Sequence, residues 1–173
     1  MKWLQSMLCT LAASAALQGA AQVAPNLDYT DMWWNPAESG WGISLRQKLG
    51  TGGTVDSLVA IWYTYDPRML DPASPGGAGS VPLWLYMTGG AWSTPTSYAG
   101  KIYATTGTVF SLPWVPYDPY PIAEVGSFRL RFTDAGHGIF DYTVAPPAGI
   151  PTTHPGYGLP TMSGSKTIER QVF

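Results

Sequence analysis

The feature that most constrains the fold is a strict alternation of apolar and polar residues along short segments of the chain. In the clearest segment, Phe128, Leu130 and Phe132 alternate with Arg129 and Arg131. Because successive side chains of a strand point to opposite faces, this pattern predicts a β-strand with one buried face. No stretch after the first 21 residues holds an apolar repeat of helical period long enough to predict a helix. The sequence therefore predicts an all-β fold.

Segments that read as strands recur along the chain, and each is closed by Gly, Pro, Asn or Asp. We predict eight strands, at residues 29–34, 41–46, 57–65, 83–87, 98–103, 126–133, 138–144 and 166–172. Their mostly short connections favour an antiparallel up-and-down meander, closed or nearly closed into a barrel. An even number of strands lets the first pair with the last and leaves no free sheet edge. A two-sheet sandwich is the alternative arrangement.

The connections of such a meander alternate between its two ends. Residues 49–56, 89–96 and 134–136 would lie at one end, and residues 35–40, 66–82, 104–125 and 145–164 at the other. The last three connections are long and rich in Pro, Gly and aromatic residues. Long loops on a rigid scaffold commonly carry binding sites, so we expect a site at this end. The expectation fails if residues 108–112 form a strand of their own.

The first 21 residues have the pattern of a secretory signal peptide. Lys2 precedes an apolar stretch, and small residues stand at Gly19 and Ala21, where cleavage requires them. We therefore expect a single mature β domain of residues 22–173, exported to the periplasm or the extracellular space. Cys9 would be removed with the signal peptide, which excludes disulfides and cysteine nucleophiles from the mature domain.

Charge and the distribution of reactive residues limit the partners. The formal net charge is −2 and no basic patch is present, so we expect no nucleic-acid partner. No apolar segment is long enough to predict a membrane-spanning helix. His137 and His154 have no partner residue at a catalytic or metal-binding spacing. We predict no cofactor, while a calcium ion held by loop aspartates stays open as an alternative.

A long motif near the start of the predicted domain carries a family resemblance. Residues 33–42 read Trp-Trp-Asn-Pro-x-Glu-x-Gly-Trp-Gly, and the aromatic strand 60–66 and a Pro-Leu-Trp-Leu segment at 82–85 follow. A Thr-Thr-Gly element at 105–107 and a closing Ile-x-Arg-Gln-Val-Phe at 168–173 complete the pattern. In these features the chain resembles a module recurrent in exported proteins of Gram-negative bacteria. The resemblance implies export and supplies no catalytic residue, and the loops at 67–81 and 146–162 depart from the module by being longer.

Aromatic residues near the predicted loops are the candidate ligand contacts. Indole and phenol rings stack on sugars and other planar ligands, while Asn35 and Glu38 can hydrogen-bond a polar edge. The candidates are Trp33, Trp34, Asn35, Glu38, Trp41, Trp114, Tyr117 and Tyr120. The structural alternative is that Pro36 and Gly40 shape a turn, Glu38 accepts hydrogen bonds from backbone N–H groups, and the tryptophans fill the end of the barrel.

We predict a non-catalytic binding module for a carbohydrate or an apolar small ligand. One alternative is a self-assembling surface or fibre subunit, because Trp62 and Tyr63 place aromatic rings on both faces of one strand. Another is a glycosidase in which Glu38 acts with Asp31 or Asp66.

Overall fold

A computed structural model describes residues 23–48, 50, 57–69, 81–114 and 122–172. Within them every strand pairs antiparallel with the next, and the last pairs with the first to close a barrel. The strands are β1 (Asp31–Trp34), β2 (Gly42–Lys48), β3 (Ser57–Tyr65), β4 (Pro82–Thr94), β5 (Ser97–Thr105), β6 (Ile122–Phe132), β7 (His137–Val144) and β8 (Met162–Arg170), with a 3₁₀ turn at Pro67–Met69. The predicted eight-stranded closed meander is confirmed, and the sandwich alternative is excluded.

Alternation along the strands produces the core, as the sequence predicted. Phe128, Leu130 and Phe132 are buried inside the barrel, while Arg129 and Arg131 point outward and are exposed. Inward-facing residues of the other strands join them in one hydrophobic cluster. Burial of these apolar side chains provides the main stabilisation of a chain that has no disulfide in its described part.

Several strand boundaries differ from the sequence interpretation, most of all in β4, β6 and β8. β6 starts at Ile122 rather than at residue 126. We predicted that the fourth strand ends at Met87, but β4 continues to Thr94 through two register shifts. At the first shift Gly89 has a φ of 66°, a conformation that glycine adopts without strain. The last strand was predicted at residues 166–172, whereas β8 spans Met162–Arg170 and Val172 is exposed beyond it. Residues 108–112 form no strand, so the predicted assignment of loops to the two ends holds.

The end of the barrel that carries the short connections is plugged by the segment before β1. Tyr29 is almost fully buried there and stacks on Phe132, with ring centroids 3.7 Å apart. Its backbone carbonyl accepts a hydrogen bond from Trp33 Nε1 at 3.0 Å. The Asn26 amide donates to the carbonyl of Pro95 at 3.1 Å, so the segment crosses the barrel end to the β4–β5 turn. We call this the plugged end and the opposite one the open end.

β1 and β8 join over a short distance. Only two residue pairs, Trp33–Arg170 and Trp34–Glu169, connect them among the described residues. β8 has nine residues and β1 four, so β8 extends toward the open end beyond the last residue of β1. The β1–β2 turn lies beside this extension, where Asn35 Nδ2 donates to Thr167 Oγ1 at 3.4 Å. The join therefore leaves a gap in the hydrogen-bonded wall at the open end.

Candidate functional site

A cavity of about 250 Å³ opens at the open end, and we call it the mouth cavity. Side chains from β3, β7 and β8, from the β1–β2 turn and from the start of the β3–β4 connection line it. The lining residues are Glu38, Trp41, Trp62, Thr64, Tyr65, Pro67, Phe140, Tyr142, Met162 and Lys166. This is the end to which the sequence assigned the long loops.

Strand alternation explains why these side chains converge. On β8, Met162, Gly164 and Lys166 share the inward face with the buried Ile168. Gly164 leaves room for the ring of Tyr142 on the neighbouring strand, since a Cβ at Gly164 would lie 2.8 Å from the tyrosine hydroxyl oxygen. The inner wall of the cavity is thus set by the order of small and large residues on β7 and β8.

Aromatic rings form the apolar walls of the mouth cavity. The Trp62 ring lies 5.1 Å from that of Phe140 in an edge-to-face arrangement and 4.9 Å from that of Tyr142. Trp41 tilts over Phe140 at 6.4 Å. Trp62 is 6% exposed, and its Nε1 has no hydrogen-bond acceptor among the described residues. Buried N–H groups are normally paired, so this buried indole N–H is an exception among the residues behind the cavity wall.

An ion pair lies at the polar edge of the cavity. Lys166 Nζ donates to Glu38 Oε2 at 2.7 Å, and Trp41 Nε1 donates to the same oxygen at 3.3 Å. The hydrogen bond from Lys166 lowers the pKa of Glu38, and the bond to Glu38 raises the pKa of Lys166. Both groups are therefore charged at neutral pH. About two fifths of each side chain is exposed, so both can meet a ligand.

A second ion pair fastens two loops beside the cavity, and we call it the loop clamp. Asp66, at the end of β3, is 6% exposed and accepts hydrogen bonds from Arg68 Nε at 2.8 Å and Nη2 at 2.6 Å. Arg68 Nη1 donates to the carbonyl of Tyr157 in the β7–β8 connection at 2.9 Å. The hydrogen bonds from Arg68 lower the pKa of Asp66, so the clamp stays charged at neutral pH. It ties the β3–β4 and β7–β8 connections together at the open end.

The structure brings together two of the eight predicted contact residues, Glu38 and Trp41, in the mouth cavity. Trp33 is fully buried inside the barrel, where its indole N–H bonds to Tyr29. Asn35 is 8% exposed and its Oδ1 accepts the backbone N–H of Ala37 at 2.9 Å, so it shapes the β1–β2 turn. Trp33 therefore has the core role that the sequence left open as the alternative, whereas the turn role of Asn35 was not predicted.

The other predicted contacts lie elsewhere. Trp34 is on the outward face of β1, on the opposite side of the strand from Trp33. Trp114 is in the β5–β6 connection, 77% exposed, and does not line the mouth cavity. Tyr117 and Tyr120 lie outside the described residues. A ligand role for Tyr117 and Tyr120 stays a prediction, whereas a ligand in the mouth cavity would not contact Trp34 or Trp114.

Tyr142 and Lys166 line the mouth cavity but were not predicted from the sequence. A signal for Lys166 was present, because it shares the period-two face of Ile168, which should point inward. A lysine on the inward face of a strand, close to the end of the barrel, is expected to place its charge in the barrel opening. Tyr142 could have been found in the same way, since it follows the phase of Phe140 on β7.

No protein-family model, curated protein or solved structure matches this chain. The resemblance to an exported bacterial module therefore stays a prediction. Within the described ranges, no helix is long and apolar enough to cross a membrane. In the same part of the chain, no three His, Cys, Asp or Glu side chains form a group that could hold a metal ion.

Proposed function

We propose that the protein is an exported, non-catalytic binding module that takes one ring of a carbohydrate or of an apolar small molecule into the mouth cavity. The observation that carries the proposal is the convergence of aromatic walls and a charged, partly exposed ion pair on one opening. A cavity of about 250 Å³ is slightly smaller than common ligand pockets, which span roughly 300–1,000 Å³. The size favours a single ring over a long chain.

The chemistry of the cavity suits a ring with an apolar face and a polar edge. Trp41, Trp62 and Tyr142 offer ring surfaces for stacking. Lys166 has three donors and uses one of them on Glu38. Glu38 Oε1 accepts no hydrogen bond from the described residues, so the edge offers an acceptor as well. Adjacent hydroxyl groups of a sugar, each both donor and acceptor, match that pair.

The composition of the cavity also favours binding over glycoside hydrolysis. Hydrolysis of this kind normally needs two carboxyl groups that flank the scissile bond, about 5–10 Å apart. Glu38 is the single carboxylate among the described residues that line the cavity. Its ion pair with Lys166 lowers its pKa, which opposes a role as general acid at neutral pH.

The test is calorimetric titration of the purified protein with a panel of monosaccharides, disaccharides and single-ring aromatic compounds. We expect saturable binding of at least one class and a loss of affinity of about fivefold or more in Trp41→Ala. Trp34→Ala and Trp114→Ala are matched controls, because each removes an indole outside the cavity. Equal losses in all three variants, or no binding by any member of the panel, would contradict the proposal.

A further variant separates the two ligand classes. Glu38→Gln keeps the shape of the side chain but removes the charge that orients Lys166. This variant should lower the affinity for a sugar that hydrogen-bonds this edge and leave the affinity for an apolar ring unchanged. Its unfolding midpoint should be recorded as well, so that a change in folding is not read as a change in binding.

A second candidate function is self-association through the outer surface of β3, β4 and β5. The outward residues there are Ile61, Tyr63, Trp84, Tyr86 and Tyr103, which form what we call the outer aromatic face. Trp84 is 64% exposed and packs edge-to-face on Tyr63, with centroids 5.9 Å apart. A face of this kind commonly marks an interaction surface.

Sedimentation equilibrium at rising protein concentration tests this candidate. Trp84→Ser should shift the association toward monomer, whereas Trp114→Ser, which removes another exposed indole, should not. A monomer at every concentration would remove self-association from consideration. It would leave the mouth-cavity proposal untouched.

A further inference from the structure

A second concave site, of about 530 Å³, lies on the outer surface of β5, β6, β7 and β8. Its floor is the register row Gly100–Phe128–Tyr142–Gly164, one residue from each strand. The side chains of Phe128 and Tyr142 point into the barrel, so the row presents mainly backbone to the outside. We call this feature the transverse groove, because it crosses the four strands.

Two rows of outward side chains form the walls of the groove. One row places the exposed hydroxyls of Ser127, Thr143 and Ser163 side by side on neighbouring strands. The other places Arg129 opposite Asp141. With strands about 4.8 Å apart, the groove is roughly 14 Å long, and two residues along a strand make it roughly 7 Å wide. These dimensions suit an extended chain molecule lying across the strands.

Two arginines lie beside a single carboxylate at the groove: Arg129 and Asp141 line it, and Arg131 lies next to them. Asp141 accepts two hydrogen bonds from Arg131, from Nε at 2.8 Å and from Nη2 at 2.9 Å, and a third from Ser165 Oγ at 2.7 Å. Arg129 faces Asp141 in the register, yet no described oxygen accepts a hydrogen bond from its guanidinium. Arg129 attracts the Asp141 carboxylate electrostatically but shares it with Arg131, so two guanidinium groups lie beside one carboxylate, with three hydroxyl groups across from them.

We propose that the transverse groove binds an acidic oligosaccharide, with a uronate carboxylate on Arg129 and sugar hydroxyls on Ser127, Thr143 and Ser163. A guanidinium matches a carboxylate through two parallel hydrogen bonds. Serine and threonine hydroxyls donate and accept, as sugar hydroxyls do. The transverse groove opens on the outer surface, whereas the mouth cavity faces the barrel interior; Tyr142 lines both, and their charged groups differ.

The test is titration of the full chain with tetragalacturonate, followed by calorimetry and by backbone amide chemical shifts. The fully methyl-esterified tetramer has the same chain without the charges and is the matched ligand control. We expect the acid to bind, the ester to bind at least about tenfold more weakly, and the shifts to cluster on the groove strands. Equal binding of acid and ester would overturn the proposal, as would no binding of the acid at millimolar concentration.

Variants then locate the contact. Arg129→Ala should lower the affinity for tetragalacturonate about tenfold or more. Arg129→Lys should lower it by less, because a lysine keeps the charge but not the paired donors. Arg46→Ala removes the same charge from the exposed face of β2 and should change the affinity less than twofold. Trp41→Ala, in the mouth cavity, should have no effect. Equal losses of affinity in Arg129→Ala and Arg46→Ala would show that overall charge alone attracts the tetramer. A loss of affinity in Trp41→Ala would place the tetramer in the mouth cavity. Either result would overturn the proposal.

Discussion

Replacing Asp66 with asparagine should loosen the loop clamp without removing any apolar contact. Asp66 accepts hydrogen bonds from the Arg68 backbone N at 2.9 Å, from Nε at 2.8 Å and from Nη2 at 2.6 Å. The variant keeps one oxygen acceptor of similar shape but loses the charge. Arg68 then loses its ionic partner, and its hold on the carbonyl of Tyr157 weakens.

The size of the effect follows from the exposure of the two side chains. The side chain of Asp66 is 9% exposed and that of Arg68 is 31% exposed. A hydrogen bond to a charged group contributes about 1.5–3 kcal/mol, but a guanidinium with this much exposure recovers part of that from water. We therefore expect the free energy of unfolding to fall by about 1–2 kcal/mol. For a chain of this size, that lowers the melting temperature by about 2–8 °C.

Urea unfolding of Asp66→Asn and of the parent protein measures this loss, and hydrogen exchange locates it. The amides of Gly156 to Leu159 should exchange faster in the variant, because that segment is held by Arg68. Glu124→Gln is the matched control: it breaks the exposed pair with Lys101, which spans 2.7 Å, and should leave the unfolding midpoint unchanged. An unfolding midpoint of Asp66→Asn equal to that of the parent and of Glu124→Gln would show that the loop clamp does not stabilise the fold.

The pH dependence gives an independent check of the same ion pair. Folding lowers the pKa of Asp66, so the unfolded chain binds its proton more readily than the folded one. The stabilisation is therefore complete above the pKa of Asp66 in the unfolded chain, which is about 4. It is lost as the pH falls from there through the lower pKa of Asp66 in the folded protein. The stability difference between Asp66→Asn and the parent should shrink over that range. A difference that stays constant down to pH 2 would contradict the assignment.

Three further predictions concern other parts of the barrel. Leu45→Ala removes a fully buried side chain and should lower the free energy of unfolding by about 2–5 kcal/mol in urea titrations; a loss below 1 kcal/mol would contradict the core assignment. Gly90→Ala should destabilise the bulged part of β4, because its Cβ would collide with the backbone carbonyl of Ala99, and a melting temperature equal to that of the parent would count against that geometry. His137 donates to Asp134 at 2.9 Å, and this hydrogen bond raises the pKa of His137 in the folded protein. The stabilisation from this contact is therefore present below the pKa of His137 in the unfolded chain and is lost as pH rises through its pKa in the folded protein. In an NMR titration Asp134→Asn should lower the pKa of His137, and an unchanged pKa would show that the carboxylate is not its cause.

Much of the fold followed from the sequence because strand alternation and turn residues are local signals. The boundaries of β3 were predicted to the residue, as was the inward face of Phe128, Leu130 and Phe132. β4 was cut short at Met87 because glycines normally end strands, whereas here they accommodate a bulge inside one. Tertiary pairing with β5 decides that case, and pairing is not visible in the β4 segment alone.

The candidate site was only partly predictable. Glu38 and Trp41 were found because they lie in a dense local motif. Trp33, in the same motif, proved to be core, since the phase of β1 relative to the barrel interior depends on its pairing with β2 and β8. Lys166 reaches Glu38 across the join between the first and last strands. Contacts between such distant segments follow from barrel closure rather than from any local pattern.

The brevity of β1 also has a consequence for the order of events in folding. The pairing of β1 with β8 joins segments at opposite ends of the described chain, and ordering so long an intervening chain is entropically costly. Neighbouring strands can pair without that cost, so we expect an open meander to form first and the β1–β8 join to form last. In the native protein the same join should be the earliest to separate, with rapid exchange at the Gln171 amide that bonds to Met32. Because the pairs Trp33–Arg170 and Trp34–Glu169 lie toward the plugged end, such a transient separation would extend the gap in the barrel wall from the open end along the whole of β1.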